Sequence, residues 1–248
     1  MKLQRTTALI SSLGLLLILI LFSSFNDMNF EKIAIKMVSK SAKNGFTTKI
    51  EGEIYYSSNG KMITYFSYPA SYITIANDKG EFLFYDQENN TVFQSRNDAL
   101  SSETSFFYFF LNNKKTDLGL SDMGFHISNT TFEDGLIVTE WTPPIQIASQ
   151  LGAIKIVHDR NDPIFVSYKD SKGMIIKKVY YYDYINMSGI AIPTSVTQID
   201  YHSPIDSIIT KISYSNVRLD NEVDDNLLNY EIPESAKIVT QDDAQKKK

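Results

Sequence analysis

Residues 52–69 read GEIYYSSNGKMITYFSYP, and two strand-like segments in this stretch flank the dipeptide Asn59-Gly60. Both segments are rich in aromatic and β-branched residues, which fit the pleated surface of a sheet. Asn-Gly between two such segments is a strong signal for a tight turn. Met62, Thr64 and Phe66 share one face of the second segment, because successive side chains of a strand point to opposite faces. The stretch therefore predicts a pair of antiparallel strands.

The same pattern continues along the chain. SYITIA, EFLFYD and NTVFQS follow before residue 97, and a longer series of similar segments lies between residues 124 and 233. The connections are mostly two to eight residues long, too short for the crossover helices that a parallel sheet needs. We therefore expect about eleven antiparallel strands in one sheet that curls strongly, since flat open sheets of that size are unusual.

Two segments do not fit the strand pattern. Residues 29–44 begin with polar groups, mix apolar residues with lysines and end before Gly45, so we predict a short amphipathic helix there. Residues 98–122 lie between two series of strands and hold an aromatic run followed by a polar segment, so we predict an interval without strands there. The expected fold class is α+β, mostly β.

The N-terminus has the layout of a secretory signal. Lys2 and Arg5 precede the apolar stretch Ala8 to Phe22, and polar residues begin at Asn26. We expect residues 1–25 to be either a cleaved signal peptide or a retained membrane anchor, and the remainder to be exported. Residues 26–240 are then a single domain, and residues 241–248 a flexible tail.

The common catalytic and metal-binding patterns are missing from the sequence. Cysteine is absent, and no nucleotide, zinc or serine-hydrolase motif occurs. The acidic group at residues 220–225 lacks the spacing of a calcium-binding EF-hand loop, so we interpret it as a solvated turn. A net charge of −5 argues against binding to nucleic acid. We expect a protein without catalytic residues, bound metal or cofactor.

Residues 105–111, SFFYFFL, place five aromatic residues side by side. A segment as apolar as this has no polar side to turn to water. It must be buried on all sides, lie in a membrane or face an apolar ligand. Burial in the core of a protein with another function stays open as one interpretation.

A family resemblance narrows these alternatives. The stretch 52–69, the stretch 73–86 (ITIANDKGEFLFYD), the stretch 162–194 around VYYYDY and the closing stretch 213–239 resemble, in the same order, motifs of the LolA superfamily of outer-membrane lipoprotein-sorting proteins. The similarity extends over about residues 30–240. Each motif is weak alone, and their ordered succession carries the resemblance.

The resemblance implies a particular architecture. Members of this superfamily have an unclosed antiparallel half-barrel, with a long N-terminal helix and short lid helices over an apolar cavity for acyl chains. The lid lies between the Tyr-Asp strand and the next hairpin, where SFFYFFL occurs. Burial of each methylene contributes about 0.8 kcal/mol, so a covered, aromatic-rich cavity is suited to hiding acyl chains from water.

The resemblance also implies a set of cavity-lining residues. On the sheet we expect Met62, Thr64, Phe66, Ile73, Ile75, Leu83 and Tyr85 to line the lipid-binding cavity. On the lid we expect Phe106, Phe107, Phe109 and Phe110 to face the acyl chains. In known carriers an arginine near the second strand holds the lid closed, but residues 57–64 contain Lys61 and no arginine. Lysine lacks the planar fork of arginine, and this difference bears on strict lipoprotein transfer.

Three functions follow as hypotheses. The first is a monomeric periplasmic carrier that binds acyl chains of lipoproteins or other lipids without covalent chemistry. It would receive them from an inner-membrane donor complex and deliver them to an outer-membrane acceptor. The alternative is a membrane-tethered sensor or scaffold protein of the envelope that binds lipid. A hydrolase with an unrecognised pair of carboxylates is the third.

Overall fold

A computed structural model describes residues 30–112, 114–187, 189–203 and 206–239. The expected signal or anchor at residues 1–25 and the expected tail at 241–248 lie outside the described residues, so both stay predictions.

The described residues form fourteen strands, two short α-helices and three 3₁₀ turns. The strands are β1 (Lys32–Lys43), β2 (Phe46–Ser57), β3 (Met62–Tyr68), β4 (Tyr72–Ala76), β5 (Glu81–Asp86), β6 (Thr91–Arg96), β7 (His126–Glu133), β8 (Leu136–Thr142), β9 (Leu151–Asp159), β10 (Asp162–Asp170), β11 (Ile175–Met187), β12 (Ile190–Ser203), β13 (Asp206–Leu219) and β14 (Lys237–Val239). The helices are α1 (Phe106–Leu111) and α2 (Asp225–Leu228), and the 3₁₀ turns are Asp98–Leu100, Ser102–Thr104 and Asp220–Glu222.

All fourteen strands belong to one curved sheet in the order β14-β6-β5-β4-β3-β2-β1-β13-β12-β11-β10-β9-β8-β7. Neighbouring strands are antiparallel except β14, which pairs in parallel with β6. The sheet is unclosed, because β14 and β7 are its two edges. The prediction of a mostly β fold with a single strongly curved antiparallel sheet is thus confirmed. The fourteen strands of the described residues exceed the expected eleven by three, and the N-terminal segment and residues 237–239 supply two of these three.

The predicted N-terminal helix at residues 29–44 is wrong. This segment forms β1, a central strand that pairs with both β2 and β13. Ile33, Ile35 and Met37 alternate along it, which is the period of a strand. Asn44 and Gly45 both have positive φ, +49° and +82°, and they form a two-residue hairpin turn between β1 and β2. Gly45 therefore belongs to a turn and does not end a helix.

The two faces of the sheet are covered by different parts of the chain. Ile33, Ile54 and the partly buried Met62 belong to a large apolar cluster that also contains Phe107 and Phe110 of α1, so we call their side the helix face. Ala34, Tyr55 and Ile63 lie on the opposite side, which we call the tail face because the C-terminal segment packs there. Both faces of the central strands are therefore buried.

The C-terminal segment, residues 220–239, is fixed by hydrogen bonds as well as by packing. Asp220 Oδ1 accepts hydrogen bonds from the backbone N–H groups of Glu31 (2.7 Å) and Lys32 (3.1 Å). Asp224 caps α2, and Asp225 forms an ion pair with Lys32 at 2.5 Å. Tyr65 donates a hydrogen bond to the carbonyl of Leu227 at 2.6 Å. The acidic group at residues 220–225 thus holds the C-terminal segment against the start of β1.

Two findings limit the kinds of site to consider. Within the described ranges, no helix has the length and apolarity needed to cross a membrane. Among the same residues, no group of three or more histidine, aspartate or glutamate side chains is gathered in a way that could hold a metal ion.

Candidate functional site

The aromatic run forms α1, a helix of six residues. Ser105 begins it, because its side-chain oxygen accepts a hydrogen bond from the backbone N–H of Tyr108 at 3.2 Å. Residues four apart share a face of a helix, so Phe107 and Leu111 point together toward the sheet. Phe107 is 3% exposed and Phe110 is 2% exposed. One side of the run is therefore buried in the core.

Ring contacts join α1 to the tyrosines of the helix face. Phe106 stacks on Tyr214 with ring centroids 5.2 Å apart and on Tyr181 at 6.2 Å. Phe110 lies 5.5 Å from Tyr181 and 6.3 Å from Tyr184. Such aromatic pairs stabilise an interface beyond the area that they bury. The helix is thus seated on β11 and β13.

Hydrogen bonds hold the chain on both sides of α1. Before the helix, the fully buried Ser102 donates its hydroxyl to the carbonyl of Gly60 at 2.5 Å. After it, the side-chain amide of Asn112 donates to the hydroxyl of Tyr56 at 3.3 Å. Gly60 lies within residues 57–64, the stretch that corresponds to the arginine of known carriers. Here the hydrogen bond runs in the opposite direction, because the hydroxyl of Ser102 donates to the carbonyl of Gly60.

The loop that follows, residues 114–124, packs directly on α1. Its Gly119 has a φ of +79°, and a Cβ at this position would lie 2.6 Å from the ring of Phe109. Asp117 closes the loop by accepting hydrogen bonds from the backbone N–H groups of Gly119 and Ser121. Lys114 and Asp122 form an ion pair at 2.8 Å across the loop. Helix and loop therefore form one cover over the helix face.

A cleft of about 220 Å³ lies between this cover and strands β10–β13. Aromatic and aliphatic side chains form most of its wall, with a few polar groups among them: Thr104, Phe106, Phe109, Phe110, Leu118, Tyr168, Lys177, Val179, Tyr181, Val196, Gln198, Ile212 and Tyr214. The volume is below the roughly 300 Å³ at which pockets for small molecules begin. The space suits a part of a ligand.

A second cavity of about 420 Å³ lies on the other side of the loop. Its floor is the helix face of β7–β9, with Trp141 and His158, and its rim carries Lys114 and Arg160. Burial lowers the pKa of His158 below its ordinary value, and contacts with the carbonyls of Lys115 and Thr116 offset this in part. The histidine is therefore neutral at physiological pH. The loop 114–124 separates this cavity from the cleft.

The structure distributes the predicted cavity residues over four places: the cleft, the core beneath α1, the helix face of β3 and the tail face. Phe106, Phe109 and Phe110 line the cleft, whereas Phe107 is buried in the core beneath α1. Met62, Thr64 and Phe66 lie on the helix face, as the alternation in β3 predicts. Of these, Met62 packs against the cluster that contains α1.

Ile73, Ile75, Leu83 and Tyr85 lie on the opposite, tail face of the sheet. In the register, Ile63 pairs with Ile75, which pairs with Leu83, so these residues share the face of Ile63. The expectation that they share one wall with Met62, Thr64 and Phe66 is wrong. Ile73 and Tyr85 belong to a core cluster under the C-terminal segment. Ile75 and Leu83 line an open groove of about 660 Å³ at the end of β4–β6.

The sequence did not lead us to two aromatic residues, Tyr72 and Phe84, that share the helix face with Phe66. Phe66 stacks on Tyr72 at 4.4 Å, and Tyr72 lies 4.9 Å from the ring of Phe84. The three rings run across β3, β4 and β5 and are only partly buried. The sequence also did not lead us to Tyr181 and Tyr214 under α1. The series of tyrosines at residues 180–184 was the one signal in the sequence that pointed to the latter site.

Comparison with solved structures places this architecture among known folds. The chain is similar to a DUF1329 family protein from Desulfovibrio piger, with 16% identity and a TM-score of 0.55 over 80% of this chain and 90% of that one. It is similar to a putative outer membrane lipoprotein-sorting protein domain from Vibrio parahaemolyticus, with 14% identity and a TM-score of 0.57 over 80% and 89%. A LolA superfamily protein from Nitrosomonas europaea has 12% identity and a TM-score of 0.53 over 81% and 92%.

No protein-family model matches the sequence, and no curated protein matches it. The likeness therefore concerns the fold, because identities of this size carry no residue-level correspondence. The chain has a LolA-like fold, and the resemblance expected from the sequence is confirmed at this level.

Proposed function

We propose that this chain binds the acyl chains of a lipid or lipoprotein on its helix face and carries them across the periplasm toward the outer membrane. The observation that supports this most directly is the cleft beneath α1, which is walled by Phe106, Phe109 and Phe110 on one side and by apolar residues of the sheet on the other. The LolA-like fold of the chain agrees with such a function.

The size of the cleft implies that binding involves movement of α1. A volume of about 220 Å³ is too small for a whole acylated molecule. Displacement of α1 and loop 114–124 joins the cleft to the second cavity of about 420 Å³ and to the partly buried rings of Phe66, Tyr72 and Phe84. In this proposal α1 is the lid, and Phe107 becomes a ligand contact only when the lid opens.

The rest of the proposal concerns place and partners. The chain is exported by means of residues 1–25, acts as a monomer, and exchanges its cargo with an inner-membrane donor complex and an outer-membrane acceptor. It performs no covalent chemistry and requires no metal or cofactor. Its binding energy comes from burial of methylenes, each contributing about 0.8 kcal/mol.

Lipid binding by the purified protein tests the proposal. Native mass spectrometry of protein isolated from its host is expected to show a bound amphiphile, which solvent extraction then identifies. A Phe109→Glu substitution places a charge in the wall of the cleft, where a carboxylate next to acyl chains is costly to desolvate. We expect it to lower the affinity for that amphiphile by about tenfold or more.

Phe46→Glu is the matched control. Phe46 lies at the tip of the β1–β2 hairpin, is 79% exposed and lines none of the three cavities described above. The same change there leaves lipid binding unaltered if the cleft is the site. A protein that neither contains nor takes up any amphiphile is not a carrier, and equal affinities of the two variants place the binding elsewhere.

Cleavage or retention of residues 1–25 distinguishes a carrier from a tethered lipid-binding sensor. N-terminal sequencing of the exported protein shows whether residues 1–25 are removed. A shuttle that diffuses between membranes requires their removal, and a tethered sensor or scaffold requires their retention.

A further inference from the structure

The hydroxyl groups of three tyrosines in the cleft have no hydrogen-bond partner among the described residues. Tyr168, Tyr181 and Tyr214 stand on β10, β11 and β13 and all line the cleft. Tyr214 is only 8% exposed. A buried tyrosine elsewhere in the fold is paired: Tyr85 is 5% exposed and donates to Asn90 Oδ1 at 3.0 Å. The buried polar side-chain atoms without a partner among the described residues are Asp206 Oδ1 and Arg218 Nε, and the three tyrosine hydroxyls are not among them. These hydroxyls are therefore unpaired but accessible, so a ligand in the cleft can reach them.

These hydroxyls stay protonated. Burial raises the pKa of Tyr181 above its ordinary value, and the neighbouring phenols of Tyr168 and Tyr214 raise it further. Burial also raises the pKa of Tyr168 and of Tyr214. Each phenol is therefore available as a neutral O–H donor that faces an apolar space, and an incoming ligand could supply the acceptor.

One side of the cleft carries further donors. Lys177 lies directly opposite Tyr168 in the β10–β11 register, and its ammonium group is 5.9 Å from the tyrosine ring. The same ammonium group is 3.9 Å from Asp200 Oδ1. The side-chain amide of Gln198 donates to Asp200 at 2.6 Å, which fixes this carboxylate at the edge of the cleft. The polar edge and the apolar wall of Phe106 and Phe110 are adjacent.

We propose that the cleft recognises the carbonyl oxygen of a fatty-acyl ester, with the acyl chain leading away along the underside of α1. This inference rests on the proposed function, since it names the part of the lipid that the cleft holds. An ester carbonyl accepts hydrogen bonds from the tyrosine hydroxyls, and the first methylenes contact the phenylalanines. A volume of about 220 Å³ fits this junction rather than a whole lipid.

A pair of lipids that differ only in this carbonyl tests the inference. Monoacylglycerol and monoalkylglycerol of equal chain length have the same head group and hydrocarbon, but only the first has an ester carbonyl. Each lipid is titrated into the full-length protein below its critical micelle concentration, and the heat of binding is measured by isothermal titration calorimetry. We expect the ester to bind on the order of tenfold more tightly than the ether, as two gained hydrogen bonds allow.

Tyrosine-to-phenylalanine substitutions locate the effect. The triple variant Tyr168→Phe, Tyr181→Phe and Tyr214→Phe keeps the rings and is expected to bind both lipids with the affinity of the wild type for the ether. Since the removed hydroxyls are unpaired, its melting temperature is expected to equal or exceed that of the wild type. Tyr182→Phe is the control, because that hydroxyl bonds Thr197 at 3.0 Å and lines none of the described cavities.

The possible outcomes separate the two claims. Equal binding of ester and ether by the wild type overturns the carbonyl assignment and leaves the carrier function standing. A preference that persists in the triple variant overturns the role of the tyrosines. If the triple variant is unfolded, the three single variants Tyr168→Phe, Tyr181→Phe and Tyr214→Phe are compared, and a preference that is unchanged in all three then has the same meaning. Binding of neither lipid contradicts the proposed function, and the inference falls with it.

Discussion

At the scale of single residues, the position of Gly119 shows how closely the loop and α1 are fitted. The glycine provides both the positive φ and the space that the ring of Phe109 occupies. A side chain at this position meets two penalties at once, one from the backbone conformation and one from contact with the ring. The sequence gives no sign of the second, because residues 109 and 119 are brought together only by the fold.

Gly119→Ala is expected to lower the free energy of unfolding by about 1–3 kcal/mol. Gly135→Ala is the matched control, because Gly135 has a similar φ of +83° and nothing within 4 Å of the added Cβ. Urea unfolding of the two variants separates strain from contact. Equal losses of stability show that the ring of Phe109 gives way without cost and that loop and helix are loosely fitted.

At the scale of elements, the predicted secondary structure agrees with the structure where local sequence determines the conformation. It disagrees where pairing with distant strands determines the conformation. The described residues between 98 and 122 contain no strand, as the sequence predicts, and the aromatic run among them forms the short helix α1. The helix expected before Gly45 is β1, because the Asn44-Gly45 turn and a partner strand on each side favour the extended form.

The pairing of strands also explains why the predicted cavity residues lie on two opposite faces of the sheet. Alternation within β3 gives the two faces of that strand, but the three-residue connection from Tyr68 to Tyr72 determines which residues of β4 share them. The register pairs Phe66 with Tyr72, so even-numbered residues of β4 lie on the helix face. A shift of one residue in such a connection exchanges the faces of the whole following strand. No property of the individual side chains indicates this.

Repulsion between like charges around Lys40 of strand β1 suggests a substitution that stabilises the protein. Lys40 lies directly opposite Lys49 of β2 and opposite Lys211 of β13, so three like charges form a row across three strands. Like charges at directly opposed positions are destabilising. We expect Lys40→Glu to raise the free energy of unfolding by about 0.5–1 kcal/mol at low salt, because it replaces two repulsive pairs by two attractive ones.

Lys40→Gln is the graded comparison, since it removes the repulsion without adding attraction. Its gain is expected to be about half that of Lys40→Glu, and both gains should shrink in about 1 M salt, where the screening length is near 3 Å. Urea unfolding at both salt concentrations checks the order. A loss of stability in Lys40→Glu contradicts the electrostatic account of this row.

At the scale of the whole molecule, global stability is expected to depend on pH through His158. Burial holds the pKa of this histidine below its ordinary value in the folded state. At pH 7 the ring is neutral in both folded and unfolded chains, and no free energy is lost. As the pH falls below about 6.5, the unfolded chain binds the proton first, so stability declines until the pH passes the folded-state pKa.

Chemical unfolding of the full chain between pH 7 and pH 5 measures this decline, which cannot exceed about 1.4 kcal/mol per pH unit for one proton. His158→Gln should lack the slope in this interval, whatever its own effect on stability at pH 7. His202→Gln, at an exposed position of β12, should retain it. An equal slope in wild type and His158→Gln assigns the proton uptake to another group.

The pairing of β1 with β13 determines when folding can finish. Its backbone hydrogen bonds join residues 33–42 to residues 209–219, nearly the whole length of the described chain. Contacts between such distant residues slow the search for the native state. Until residue 219 has been synthesised, β1 has no partner on one side, and the two halves of the sheet remain unjoined. We propose above that the chain crosses a membrane through a narrow translocation channel. The late pairing of β1 with β13 then keeps the polypeptide unfolded before the channel and lets the two halves of the sheet join only after transport.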